Sequence, residues 1–155
     1  MDIKINKLFK IALLILIIAT LAFIFVQSMI PPNKSQAESD KVGDIIGEII
    51  PPDTPTGDYI QNNIRKLAHL VEFFVLGCEV ALYMILYMPR IRWAALLLPS
   101  ALLVALLDES IQIFSGRGPS ILDVWIDFFG FFISSVIFYT VACVVIFISE
   151  KRKQK

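Results

Sequence analysis

Polar positions are so sparse along much of this chain that its elements are read from where they interrupt. The run 8–30 holds 23 residues broken only by Lys10, Thr20, Gln27 and Ser28. At 1.5 Å per residue it reaches about 34 Å, enough to cross a bilayer. A second apolar run covers 67–88, a third starts at Trp93, and a fourth covers about 121–148. The purely apolar part of the third, 93–107, is only about 22 Å long and falls short of a hydrocarbon core of roughly 30 Å. The pattern therefore predicts a helix over 93–114 that runs on through Asp108, Glu109 and Gln112, with two carboxylates inside the membrane thickness. Together the runs predict an all-α fold, an integral membrane four-helix up-down bundle forming one domain over 1–155.

Between the first two spans lies an expected outer loop, 31–63. Pro31-Pro32 and the stretch Pro51-Pro52-Asp53-Thr54-Pro55 are breakers. Within the loop, Val42, Ile45, Ile46, Ile49 and Ile50 recur at helical spacing opposite Asp40, Lys41, Asp44 and Glu48. Residues 40–50 thus form an amphipathic segment that either lies in the headgroup layer or lids the bundle. Gly43 and Gly47 inside it favour a partly ordered interfacial linker.

Composition agrees with the pattern. At 57% hydrophobic and 18% charged residues, the chain is more apolar than a water-soluble domain, which has about 45–50% apolar and about 25% charged residues. Its partner is the lipid bilayer. The 14 basic and 14 acidic residues cancel, which removes the basic field that nucleic-acid binding requires. Cys78 and Cys143 both sit in apolar runs, so neither a disulfide framework nor a thiolate metal site is expected. Charge distribution orients the bundle. Lys4, Lys7 and Lys10 start the chain, Arg90 and Arg92 occupy the turn after the second span, and Lys151, Arg152, Lys153 and Lys155 end it. The positive-inside rule brings all three groups to one side. A multi-pass protein of the cell membrane follows, with both termini cytoplasmic and with 31–63 and 115–120 facing outward. A cleaved signal peptide ending near Ser35-Gln36-Ala37 competes with this, but signal cores hold about 7–15 apolar residues, and the first run is longer.

Candidate chemistry lies in three polar stripes. The second span opens with Arg65, Lys66, His69 and Glu72, and the third ends with Asp108, Glu109 and Gln112. The fourth opens with Asp123 and Asp127, continued by Gly130 and Ser134. Counted from the cytoplasmic ends, His69, Glu72, Asp108, Glu109, Gln112 and Asp127 all fall roughly 22–31 Å up. They are expected to meet in one cavity opening outward. A charge at the membrane centre costs about 2.5–3.5 kcal/mol on insertion scales, so these acids need partners, water or neutralisation. An internal ion-pair network that orders the bundle is the structural alternative. In the turn 115–120, Gly116 and Gly118 free backbone N–H groups and Arg117 offers a bidentate fork to an anion; a plain reverse turn also explains the glycines. His69 has the chemistry of a general base, a metal ligand or a hydrogen-bond partner. No motif calls for a cofactor or a metal. No Ser or Cys nucleophile accompanies the histidine, and no glycine-rich nucleotide loop is present.

The strings Arg65-Lys66-Leu67-Ala68-His69 with Glu72, Asp108-Glu109 with Gln112 and Phe114, Gly116-Arg117, and Asp123-Val124 with Gly130 resemble the successive motifs of the VanZ-like family. They cover about residues 63–135. Two positions depart from the family's pattern: Asp127 stands where Asn is usual, and Glu79 matches no motif. The resemblance implies a small helical membrane protein of the bacterial cell envelope whose named relative is associated with resistance to the glycopeptide teicoplanin. The expected function is therefore a contribution to teicoplanin-type resistance, exerted on a lipid-linked or glycopeptide ligand through an outward polar pocket of Arg65, Lys66, His69, Glu72, Asp108, Glu109, Gln112, Arg117, Asp123 and Asp127. A membrane enzyme acting on a lipid-phosphate or acyl substrate, with Glu72, Asp108 or Glu109 as acid/base and His69 as partner, is the alternative.

Overall fold

The computed structural model describes residues 7–88, 95–118 and 120–153. The described residues form five helices: α1 (Lys7–Ser28), α2 (Pro32–Gly47), α3 (Pro55–Tyr87), α4 (Leu97–Phe114) and α5 (Ile121–Lys153). Four of them, α1, α3, α4 and α5 up to Val145, are long and apolar enough to cross a membrane. The expected start of the third span, at Trp93, lies outside the described residues, as do Lys4, Arg90, Arg92, Pro119 and Lys155. The length argument for the third span holds: α4 does run to Phe114 through Asp108, Glu109 and Gln112.

The expected outer loop is largely helical, and two corrections follow. First, α3 begins at Pro55 rather than at 67. Thr54 caps it, its hydroxyl accepting from the Gly57 N–H at 3.0 Å, and Pro55 occupies the first turn, where its missing N–H costs nothing. The prolines read as breakers therefore punctuate a helix start. With 33 residues, α3 is about 50 Å long and outruns the hydrocarbon core. Second, the amphipathic segment is displaced. α2 ends at Gly47, before Ile49 and Ile50, and turns Ser35, Ser39, Gly43 and Ile46 toward the bundle while Val42 and Ile45 stay exposed. Gly43 is the contact point, not a weakness. Its carbonyl accepts from Gln61 Nε2 on α3 at 2.7 Å.

The spans alternate in direction. Lys10 near the start of α1 places its ammonium 5.2 Å from the ring centre of Tyr87 at the end of α3, and Ser28 at the end of α1 meets Asp108 near the end of α4. The core comprises Ile24, Phe73, Leu76, Met84, Leu97, Ala101, Ala105, Phe128 and Phe131. Its tightest seam joins α3 to α5. A Cβ at Gly77 would run into Ser134 Oγ and the Phe131 carbonyl oxygen, so only glycine permits that approach. Ser135 Oγ lies 3.1 Å from the Gly77 carbonyl oxygen and 2.8 Å from that of Phe131. Small residues with hydroxyls turned to backbone are how helices pack where lipid supplies no hydrophobic drive.

Candidate functional site

The end of the bundle that carries α2 gathers the polar stripes. α4 stops there in a left-handed cap: Gly116 has φ 81°, its N–H donates to the Ile113 carbonyl at 3.2 Å, and the Arg117 N–H donates to that of Gln112 at 3.2 Å. This double closure is the Schellman arrangement, and glycine is the residue that takes the positive φ without a Cβ penalty. The reversal carries Arg117 back against the bundle, where only 7% of it stays exposed. The chain then enters α5 at Ser120. Its backbone N–H donates to Glu109 Oε1, and its hydroxyl accepts from the Asp123 N–H at 3.3 Å. Glu109 thus anchors the turn instead of entering a cavity.

Asp108 is the centre of a chain of hydrogen bonds. Ser28 Oγ donates to its Oδ1 at 2.6 Å, Gln112 Nε2 donates to its Oδ2 at 2.9 Å, and Arg65 Nη2 donates to Gln112 Oε1 at 3.0 Å. Three helices, α1, α3 and α4, are tied by these three bonds. Beside this chain, His69 Nδ1 lies 3.6 Å from Asp108 Oδ2 and 3.4 Å from Asp127 Oδ1. Asp108 and Asp127 are fully buried. These residues lie close together because adjacent elements meet at one end of the bundle.

They do not, however, share one cavity. A cavity of about 440 Å³ is walled by Arg65, His69 and Glu72 of α3, Glu38 and Ser39 of α2, Gln27 of α1, and Arg117. Apart from Ser35 its remaining walls are apolar, with Ile64, Leu67 and Ile46 among them, and the exposed Val42 and Val71 flank it. Asp108, Glu109 and Gln112 line no part of it; Asp108 is turned to Ser28 of α1, Glu109 to the Ser120 N–H before α5, and Gln112 to Arg65 of α3. Asp123, Asp127 and the exposed Lys66 border a separate void of about 10 Å³ on the far side of His69 and Arg65. At Glu72 the main cavity meets an apolar groove of about 310 Å³ between α1 and α3, lined by Ala19, Thr20, Phe23, Val71, Glu72 and Val75.

Several buried polar atoms have no hydrogen-bond partner among the described residues: Arg117 Nε and Nη2, Glu72 Oε2, Glu109 Oε2, Asp123 Oδ1, His69 Nδ1 and both carboxylate oxygens of Asp127. Such atoms are costly in a membrane interior. Burial, and then the like charge of Arg65, draw Arg117 below its ordinary value, which still leaves the guanidinium charged at neutral pH. A model of the VanZ/LLP1 family matches residues 12–146.

The chain belongs to the VanZ/LLP1 family.

The match extends well beyond the motif-bearing stretch 63–135, taking in α1, α2 and most of α5, so the elements that enclose the cavity all belong to the VanZ/LLP1 unit. No curated protein and no solved structure matches the chain. Beyond the sequence candidates, this VanZ/LLP1 site draws on Ser35 and Ser39 of the cavity wall and on three further polar residues. Ser28 is fully buried on Asp108, and Gln27 and Glu38 line the cavity. The signal for Ser28 and Gln27 was present: Gln27-Ser28 is the one adjacent polar pair in the first apolar run. Glu79, outside every motif, accepts from Thr20 Oγ1 at 3.0 Å and pins α1 to α3 away from the cavity.

Proposed function

We propose that this VanZ/LLP1 protein acts in the bacterial cell envelope in resistance to teicoplanin-type glycopeptides, by receiving an anionic, lipid-linked ligand in the α2-end cavity. One observation carries the proposal: Arg117 is almost fully buried, keeps two guanidinium nitrogens unpartnered, and forms part of the wall of a cavity that is otherwise mostly apolar. A buried guanidinium with donors to spare is a receptor for phosphate or carboxylate. The cavity falls in the usual range for small-ligand sites, about 300–1,000 Å³, which suits a headgroup rather than a whole glycopeptide. The adjoining apolar groove between α1 and α3 suits an alkyl chain. The cavity end faces outward and both termini face the cytoplasm, because Lys7, Lys10, Lys151 and Arg152 sit at the opposite end.

The test substitutes Arg117→Lys in a susceptible host, since lysine keeps the charge and loses the fork. Teicoplanin protection is expected to disappear while membrane abundance and melting temperature stay near those of the parent. Protection that survives, or that falls together with stability, defeats the proposal; so does a parent that gives no protection. In a cysteine-free background, an impermeant thiol reagent is expected to label Gly118→Cys from outside and Lys151→Cys only after permeabilisation.

Glu72 favours a second reading. Its Oε2 is unpartnered and its side chain lines the cavity next to His69, an arrangement suited to acid/base work on a lipid-phosphate or acyl substrate. Turnover of such a lipid that Glu72→Gln abolishes would replace the binding reading with an enzymatic one.

A further inference from the structure

We propose that His69, Asp108 and Asp127 form a binding site for one divalent cation of the zinc type. The site lies behind the cavity wall, and it stands whether or not that cavity takes a lipid-linked ligand. Three observations meet here. His69 Nδ1 is 3.6 Å from Asp108 Oδ2 and 3.4 Å from Asp127 Oδ1, and one ligand atom from each residue lies within 4.8 Å of the other two. Bonds of about 2.0–2.2 Å meeting at a tetrahedral angle separate their ligand atoms by about 3.3–3.6 Å. The two measured edges have that length.

Second, His69 Nδ1 and the Asp127 carboxylate are engaged only within the cluster among the described residues. Asp127 is fully buried and neither of its oxygens has a hydrogen-bond partner among the described residues, nor does His69 Nδ1. Asp108, by contrast, is oriented by Ser28 on one oxygen and Gln112 on the other. Donors of this kind hold a ligating carboxylate in place and leave it lone pairs for a metal. Third, the electrostatics balance. Two buried carboxylates and a protonated imidazole leave one negative charge, whereas a divalent cation with neutral His69 leaves none. Of the neighbouring cations, Arg65 is turned to Gln112 Oε1 and Lys66 is exposed.

The void of about 10 Å³ beside His69 and Asp127 is bordered by Arg65, Lys66 and Asp123 and not by Asp108, so the cation's place is among the three ligand atoms rather than in that void. His69 also forms part of the wall of the larger cavity, which supplies an entry path. One imidazole nitrogen with two carboxylate oxygens suits Zn²⁺ or Mn²⁺ better than Ca²⁺ or Mg²⁺, which take oxygen ligands, or copper(I), which takes sulfur.

The experiment uses the full-length protein in detergent and metal ions alone. Elemental analysis after dialysis against Zn²⁺ is expected to find about one zinc per chain, and Zn²⁺ is expected to raise the melting temperature while a chelator lowers it. Asp127→Asn and His69→Gln are each expected to weaken binding by about tenfold or more and to abolish the thermal response. Glu79→Gln, which changes a carboxyl group away from the cluster, is expected to retain both. Should either ligand variant fail to fold, Co²⁺ titrated into the parent is expected to give the visible absorption of a tetrahedral nitrogen and oxygen site. The proposal is overturned by a parent that takes up no stoichiometric metal, by Asp127→Asn and His69→Gln binding as the parent does, or by Glu79→Gln losing metal equally.

Discussion

Helices α3 and α5 meet twice, and the two meetings follow opposite rules. In the middle of the bundle they approach through Gly77, Gly130, Ser134 and Ser135, and both serine hydroxyls are turned to backbone carbonyls. Towards the α2 end, the same two helices face each other with His69 and Asp127, 3.4 Å apart, and there neither His69 Nδ1 nor either Asp127 oxygen makes a hydrogen bond of normal geometry among the described residues. The first contact is closed, with every group that it buries satisfied. The second is open, and what it leaves unsatisfied is what a ligand or ion would complete. A bundle this small tolerates the open end because the closed seam, together with α1 and α4, holds the helices in register. Intramembrane polar groups have both uses, and the accounting of their hydrogen bonds separates them.

The comparison is broken most severely at the seam. Gly77→Leu places a side chain where Ser134 Oγ and the Phe131 carbonyl already are, and backbone cannot yield as a flexible side chain does. A loss of about 3–5 kcal/mol and little folded protein in the membrane are expected, at the upper end of what overpacking and strain produce. Membrane abundance and the melting curve in detergent measure it; a parent-like melting temperature would mean that the seam is looser than described.

The next effect lies inside the open end and sharpens the distinction there. Asp108→Ala orphans two buried donors, Ser28 Oγ and Gln112 Nε2, at about 1–3 kcal/mol for each group left unmade. Asp127→Ala removes one contact, that with His69 Nδ1 at 3.4 Å, so without divalent metal it is expected to cost less than Asp108→Ala, about 1–3 kcal/mol for the one group left unmade. Chelator-treated samples compared by thermal unfolding decide the matter. Equal losses would show that Asp127 is as much a structural member as Asp108.

The smallest effect belongs to α2. A Cβ at Gly43 meets the Gln61 side chain and Ile64 Cδ1, and the end of a flexible glutamine can move aside. Gly43→Ala is expected to cost less than about 1 kcal/mol, the alanine's better helix propensity offsetting part of the lost Gln61 contact. Hydrogen exchange should rise in 32–47 with the spans unchanged, and exchange that rises across α3 as well would show that α2 is part of the bundle's core rather than its cover.

Much of this molecule was legible in its sequence, for a reason that is specific to membranes. A span must be long enough, and apolar enough, to satisfy a layer of known thickness. That requirement alone carried the third helix through Asp108, Glu109 and Gln112 to Phe114, and it fixed the number of spans. Helical spacing then placed His69 with Glu72 and Asp108 with Gln112 on shared faces, and the order of the polar strings pointed to the VanZ family before any geometry was known. The outer segment escaped the same treatment. Outside the hydrocarbon no thickness constrains a helix, so the prolines before Thr54 and the glycines of α2 looked like interruptions when they were a helix start and a packing surface. Choice of partner escaped as well. Spacing defines a face about a third of a helix wide, while the angle between two packed helices decides which neighbour that face meets. Only the packed bundle gave Asp108 to Ser28, turned Glu109 to the Ser120 amide, folded Arg117 back through the Gly116 cap onto the cavity, and set Asp127 against His69. Length and polarity act along one chain and can be counted; hydrogen-bond partners are set by distances between chains of residues far apart in sequence, and those exist only once the helices have packed.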